Sequence, residues 1–384
     1  MKKGEFVMLE KVKKFLQIFL ILLLFAVIIF YLTSCIGYVK VLVVAPLSSD
    51  TKEFGESTVN GIRLKVDELN KSGGIIGKRI KVYVVDDKGD PDSATQSIRD
   101  VLSKNNFIGI VGAPFSRIAI PVSEVCEDLK IPFVTSVATN PLVTKDKEFS
   151  FRACFTDDLQ GVALAHFVYE YLDLRVGGVF YDIDDTYSVY LAEKFRSEFE
   201  NLGGHVVAFY PHPHKPVTVE FPIQKMLEKK VQFVFNPDLY VDASMVYTEL
   251  RKQNFTGPVI FGDGVDAPQL LARIGKPFNV YYVSHYSRDS EKLIKFSETY
   301  KETFKMDPDV EACLAYDAMG ILATAIENAN SFDKVKIKDA LENLTYDGIT
   351  GKIEFKNSND PIKPLYFYGF KNFIPSEVWV FGDK

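Results

Sequence analysis

The residues of this 384-residue chain that could hold a small polar molecule sit just past its short apolar runs. Ser116 follows the run Phe107–Val111 and the turn Gly112-Ala113-Pro114-Phe115. Thr139 lies in Ser136-Val137-Ala138-Thr139-Asn140-Pro141, where Ile131–Val137 gives out. Tyr187-Ser188, Asp238-Leu239-Tyr240 and Gly262-Asp263-Gly264 stand past three later runs. Ser116 and Thr139 are hydroxyls beside expected helix N-termini, whose free N–H groups and positive dipole ends suit a carboxylate. Asp263, an acid between two glycines, suits an ammonium, and the far set adds the aromatic rings of Tyr187 and Tyr240. Each also has a plainer use: Ser116 and Thr139 as helix caps, Asp263 as a turn residue.

Other chemistry has less support. His212-Pro213-His214 puts two imidazoles within reach of a metal, but a proline-rich stretch reads as a surface loop. Asp86-Asp87 with Asp90 resembles a calcium loop only loosely, and Asp90-Pro91 reads as a helix N-cap followed by a first-turn proline. No glycine-rich dinucleotide or P-loop signature follows a strand, and no Gly-x-Ser-x-Gly elbow occurs. The expectation is therefore a binding protein without catalytic residues, cofactor or metal.

The elements that must position these residues alternate. Val39–Leu47, Arg79–Val85, Phe107–Val111 and Ile131–Val137 read as strands. A helix over Thr58–Asn70 carries Val59, Ile62, Val66 and Leu69 on one face and stops at Gly73-Gly74. After a helix at Gln160–Leu172 the pattern restarts, with strands at Val176–Tyr181, His205–Tyr210, Val231–Asn236, Val259–Gly262 and Val280–Ser284. Strands joined by helices of this length imply βαβ units and parallel sheets. Three helices then follow one another, around 293–304, 312–328 and 337–344, which suggests that the chain returns to complete the first unit. Three short strands near 351–355, 365–370 and 377–381 end it. In open α/β sheets ligands bind beyond the carboxyl ends of the strands, where the residues above lie.

Composition bounds the rest. A net charge of −6 disfavours nucleic acid as a partner. Lys11, Lys13 and Lys14 precede an apolar run from Phe15 to Leu32, which ends in Leu32-Thr33-Ser34-Cys35. A basic start, an apolar core and small residues before a cut make an export signal, here over residues 1–34. Cys35 sits as in a bacterial lipobox, where it would carry lipid and tether the chain to the membrane; an uncleaved membrane anchor is the other reading. Both place the body outside the cytoplasm. Cys126, Cys154 and Cys313 have apolar neighbours and no Cys-x-x-Cys spacing, which favours buried free thiols.

Several phrases in order carry a resemblance. They are Val43-Val44-Ala45-Pro46-Leu47-Ser48, the stretch 67–78 with Asn70-Lys71-Ser72-Gly73-Gly74, Asp86-Asp87-Lys88-Gly89-Asp90-Pro91, Ala138-Thr139-Asn140-Pro141 and Asp157-Asp158-Leu159-Gln160-Gly161. Over residues 39–384 the chain resembles the leucine/isoleucine/valine-binding protein family, the amino-acid branch of type I periplasmic binding proteins serving ABC transporters. The resemblance implies an α/β fold of two doubly wound parallel-sheet lobes joined by a multi-crossing hinge. One lobe would comprise 39–157 and 287–361, the other 158–286 and 362–384. It implies that Ser116, Thr139 and the backbone at Val137 hold an amino acid's carboxylate. Asp263, helped by Val137, would meet the ammonium, with Tyr187 and Tyr240 closing from the far lobe. Phe54, Pro114 and Phe115 fall where the family lines its specificity pocket and suggest an apolar or aromatic side chain. Some members carry a cysteine pair near the positions of Gly89 and Phe115; this chain has neither cysteine. The implied partners are the amino acid, the permease subunits of an importer and the membrane through Cys35. A membrane-tethered sensor of an amino acid or short amide would use the same cleft.

Overall fold

The computed structural model describes residues 14–25 and 37–382. Cys35 and most of the export segment 1–34 lie outside the described residues. Helix α1 (14–25) exposes its apolar side chains, Phe15 at 71% and Phe25 at 64%. Among the described residues no helix is long and apolar enough to cross a membrane.

The first sheet is built from β1 (Tyr38–Ala45), β2 (Arg79–Asp86), β3 (Gly109–Gly112), β4 (Phe133–Thr135) and β5 (Ser150–Arg152), in the order β2-β1-β3-β4-β5 and parallel throughout. The β-branched runs are buried on both faces, as a parallel sheet requires. Helices α2 (Lys52–Lys71), α3 (Pro91–Lys104) and α4 (Ser116–Leu129) connect the first four strands. Asp90 caps α3 as expected, accepting from the Ser93 N–H at 2.8 Å, with Pro91 next in line.

After β5 the chain enters the second lobe. There it runs through α5 (Asp157–His166), β6 (Val176–Asp182), α6 (Thr186–Asn201), β7 (His205–His212), α7 (Glu220–Leu227), β8 (Phe233–Asn236), α8 (Tyr240–Lys252), β9 (Val259–Phe261), α9 (Pro268–Ile274) and β10 (Val280–Ser284). It then returns as α10 (Glu291–Phe304), α11 (Val310–Ala329) and α12 (Lys334–Leu341), which pack on the first sheet against Val39, Val41 and Val43. A hairpin of β11 (Thr345–Gly348) and β12 (Gly351–Glu354) follows. The last crossing brings β13 (Leu365–Lys371) and β14 (Ile374–Phe381) to the edge of the second sheet, ordered β14-β13-β10-β9-β8-β6-β7. That sheet is parallel only over β6 to β10; β13 and β14 are antiparallel. The link between them is two residues, Asn372 and Phe373, at φ 52° and 65°, and so tight a turn can join only antiparallel strands. The fold is the two-lobed, doubly wound architecture expected, crossed after β5, β10 and β12. Cys126, Cys154 and Cys313 are buried and free.

One contact fixes the start of α11. A Cβ on Gly61 of α2 would stand 2.1 Å from the Ala312 carbonyl oxygen, far inside contact distance. Helix propensity alone would make Gly61→Ala stabilising by about 1 kcal/mol. The clash is with backbone, which cannot swing aside, so we expect Gly61→Ala to destabilise by about 1–3 kcal/mol. Chemical denaturation of the two proteins checks this; a higher midpoint for the variant would refute it.

Candidate functional site

The cleft is built where the strands of both lobes end. At the end of β3, Gly112 takes φ 110°, and a Cβ there would meet the Val44 carbonyl oxygen at 2.3 Å. Only glycine permits this turn, which brings α4 in at Ser116. Ser116 is the first residue of α4, and its hydroxyl does not cap that helix. It accepts instead from the Asn140 N–H at 3.3 Å, joining two strand-end loops.

The Val137–Asn140 loop is held from behind by Arg152, which is fully buried on β5. Its guanidinium donates to the Ala138 carbonyl at 2.8 Å, the Asn140 carbonyl at 3.1 Å, Thr144 Oγ1 at 2.7 Å and the Asp360 carboxylate at 2.6 Å. Thr139 is buried, and its carbonyl oxygen accepts from the Asp157 N–H at 2.9 Å. Burial, then the nearby Asp263 charge, pushes the Asp157 carboxyl well above the usual carboxylate range.

In the far lobe Asp263 opens a short 3₁₀ turn after β9 and is 2% exposed. Its Oδ1 accepts from the Tyr187 hydroxyl at 2.8 Å and Gln160 Nε2 at 3.0 Å, and its Oδ2 from His285 Nε2 at 2.8 Å. Gln160 returns its Oε1 to the Asp263 N–H at 2.9 Å. Burial lowers the His285 pKa and outweighs the pull of Asp263, so this imidazole, stacked on Phe155 at 3.8 Å, donates as a neutral group.

Between the closed lobes lies a small cavity of about 20 Å³. The first lobe lines it with Pro114, Phe115, Ser116, Val137, Thr139 and Glu311, the second with Asp185, Tyr187, Leu239, Asp263 and Gly264. Seven of the nine residues singled out for ligand contact from the sequence therefore face one space. Phe54 and Tyr240 do not line it. They stack on each other at 4.9 Å across the cleft, Phe54 packs edge-on to Phe115 at 5.3 Å, and the Tyr240 hydroxyl donates to Glu53 at 2.9 Å. The lobes also touch through Asn140 Nδ2, which donates to the Thr186 carbonyl at 3.1 Å, and through Lys215 with Asp50 at 2.7 Å. The chain is thus described in a closed form.

Glu311 and Asp185 on the wall, and Gln160, Asp157, His285 and Arg152 behind it, were not anticipated. Glu311 has a sequence signal, an acid directly ahead of the apolar run 312–315, but this reads first as a charge placed for the helix dipole.

His212 corrects an expectation. It is not part of a surface loop: it ends β7, is 3% exposed and bonds Asp238 through Nε2 at 2.7 Å. Burial lowers its pKa, but the Asp238 hydrogen bond and charge prevail and raise it from 6.5 to about 9. His214, Asp182 and Asp242 bring ligand atoms within 4.8 Å of one another, yet His214 Nδ1 already bonds Asp182 at 2.6 Å. A raised histidine pKa stabilises the fold fully below the unfolded value, near 6.5, and the contribution is lost as pH rises through about 9. Melting temperature is expected to fall across that window, and His212→Gln to flatten the fall. An equally steep decline in the variant would remove His212 as its source.

Residues 38–372 match the family described as periplasmic binding protein. An amino acid binding protein of Pseudomonas aeruginosa is 26% identical over 332 residues, covering 85% of this chain and 88% of its own. The solved leucine binding protein LivK of Thermotoga maritima is similar with a TM-score of 0.83 and 28% identity, over 90% of this chain and 99% of that one. The branched-chain amino acid transporter substrate binding protein LivJ of Streptococcus pneumoniae, in complex with isoleucine, gives a TM-score of 0.83 at 23% identity, over 89% and 99%.

Proposed function

Because this chain belongs to the periplasmic binding protein family, whose members work outside the cytoplasm, we propose that it captures an α-amino acid between its lobes and delivers it to the permease of an ABC importer. The tether would be lipid on Cys35, after removal of residues 1–34. The observation that carries this reading is the polarity of the cavity. The first lobe contributes the Ser116 hydroxyl, Thr139 and the backbone at Val137; the second contributes Asp263 with Tyr187. A zwitterion lies between them with its carboxylate toward the hydroxyls and the α4 N-terminus and its ammonium toward Asp263.

Capture proceeds by hinge closure. The ligand binds the lobe carrying Ser116 and Thr139, and the other lobe brings Tyr187 and Asp263 over it. Tyr240 acts in this reading through closure, since its contacts are with Phe54 and Glu53 across the cleft. Ligand favours the closed form only by the contacts it makes there.

A thermal-shift screen of the twenty amino acids, short amides and small carboxylic acids tests the assignment. A ligand present at a hundred times its Kd stabilises the native state by about 2.7 kcal/mol. At least one α-amino acid should raise the melting temperature. Stabilisation by an amide or an acid lacking the ammonium, with none from any amino acid, would refute the role given to Asp263.

A further inference from the structure

Glu311 faces the cavity but takes no part in holding the amino acid's main-chain charges. It stands in the first turn of α11, is 3% exposed and shares the wall with Phe115 and Leu239. Its Oε2 has no hydrogen-bond partner among the described residues. A buried carboxyl oxygen without a partner costs free energy that an apolar residue would not. The neighbouring acids have donors of their own. Asp309 accepts from Ser57 Oγ at 2.6 Å and the Ala312 N–H at 3.0 Å. Asp266 is held by Ser284 and Arg288, and Asp263 by Tyr187, Gln160 and His285. Burial, and then the charges of Asp309, Asp266 and Asp263, push the Glu311 carboxyl well above the usual carboxylate range, so it ionises when a positive group enters beside it. Arg117 lies over the Phe115 ring and acts on Asp185, but no positive group is paired with Glu311 among the described residues, and the cavity is where one can enter.

We propose that Glu311 reads the ligand's side chain, and that this cavity takes an amino acid whose side chain ends in a positively charged nitrogen, an ammonium or a guanidinium. The inference rests on the amino acid reading and sharpens it: Asp263 takes the α-ammonium, and Glu311 takes the second charge. The apolar pocket expected from Phe54, Pro114 and Phe115 is altered by Glu311, and Phe54 itself is turned onto Tyr240. Phe115 remains on the wall, where an aromatic face accommodates a cation as readily as a methyl group. A purely aliphatic side chain would bury Glu311 and leave Oε2 unpaired.

Calorimetric titration of the intact protein with lysine, ornithine, arginine, glutamine, leucine and valine tests this. A basic amino acid is expected to bind at least about tenfold more tightly than leucine, since a site built around a polar group rejects a ligand that leaves the group unpaired. Glu311→Gln keeps the shape and removes the group that can ionise beside a bound cation. It should weaken the basic ligand at least about tenfold and leave leucine no weaker. Glu311→Leu should turn the preference toward leucine, with a ligand-free melting temperature no lower than that of the native protein. Tighter binding of leucine, valine or glutamine than of every basic amino acid overturns the inference while the amino acid reading stands. Binding of none of the six overturns the inference, and the thermal-shift screen then decides whether the amino acid reading falls with it.

Discussion

Asp263→Ala should weaken amino acid binding by about 2–5 kcal/mol, a loss that places this single carboxylate at the centre of recognition. The size follows from how Asp263 is held. Tyr187, Gln160 and His285 all donate to it, and the buried imidazole is kept neutral, so its hydrogen bonds are filled by groups that leave its charge in place. The carboxylate is therefore fixed in position with its charge available for an ammonium. Removing it strands a cation in a closed cleft, where desolvation is costly. Asp263→Ala also leaves three donors without an acceptor, so a fall in melting temperature is expected beside the loss of affinity. Asp263→Asn separates the two effects: it returns an acceptor to Tyr187 without the charge. If charge governs, Asp263→Asn loses most of the affinity that Asp263→Ala loses. Calorimetry on both variants reads this, and wild-type affinity in either sinks the assignment.

The parts of the cleft that were legible in the sequence share one property: they lie a few residues past a recognisable strand. Ser116, Val137, Thr139, Tyr187 and Asp263 could be placed because a parallel sheet puts all its strand ends on one edge. Glu311 and Arg152 could not. Glu311 reaches the cavity from a helix that crosses back after β10, and the packing of α11 on α2 aims it there. Arg152 ends a three-residue strand, Ser150-Phe151-Arg152, too short to show a period. The start of α2 was missed for a related reason. It begins at Lys52, ahead of the Thr58 expected, with Gly55 inside its first turn. The structure needs that glycine inside the helix, since a Cβ there would lie 1.9 Å from the Pro46 carbonyl oxygen. Local pattern reports what a residue does to its own element; these residues are set by a neighbour far along the chain. His212 is the same case: Pro211 and Pro213 suggest a loop, while the acid that buries it, Asp238, comes from past the next strand.

Arg152→Met is expected to destabilise the protein by about 3–5 kcal/mol, the largest effect on folding foreseen here. Methionine replaces much of the apolar stem, so lost volume is the smaller part. The guanidinium serves the buried Ala138 and Asn140 carbonyls and Thr144 Oγ1 at once, and a buried acceptor left unpaired costs about 1–3 kcal/mol. Asp360 lies nearer the surface, with its side chain 37% exposed, and water can replace its partner, so little of the cost arises there. Arg152→Lys should recover only part of the loss, because a single ammonium cannot present the planar fork that reaches these acceptors together. The same loop carries Val137 and Thr139, so ligand affinity is expected to fall even where the variant remains folded. Urea denaturation gives the first quantity and calorimetry below the unfolding range gives the second. An unchanged denaturation midpoint would mean that the loop holds its shape without Arg152. The geometry of the carboxylate end would then have to come from the β4 turn itself.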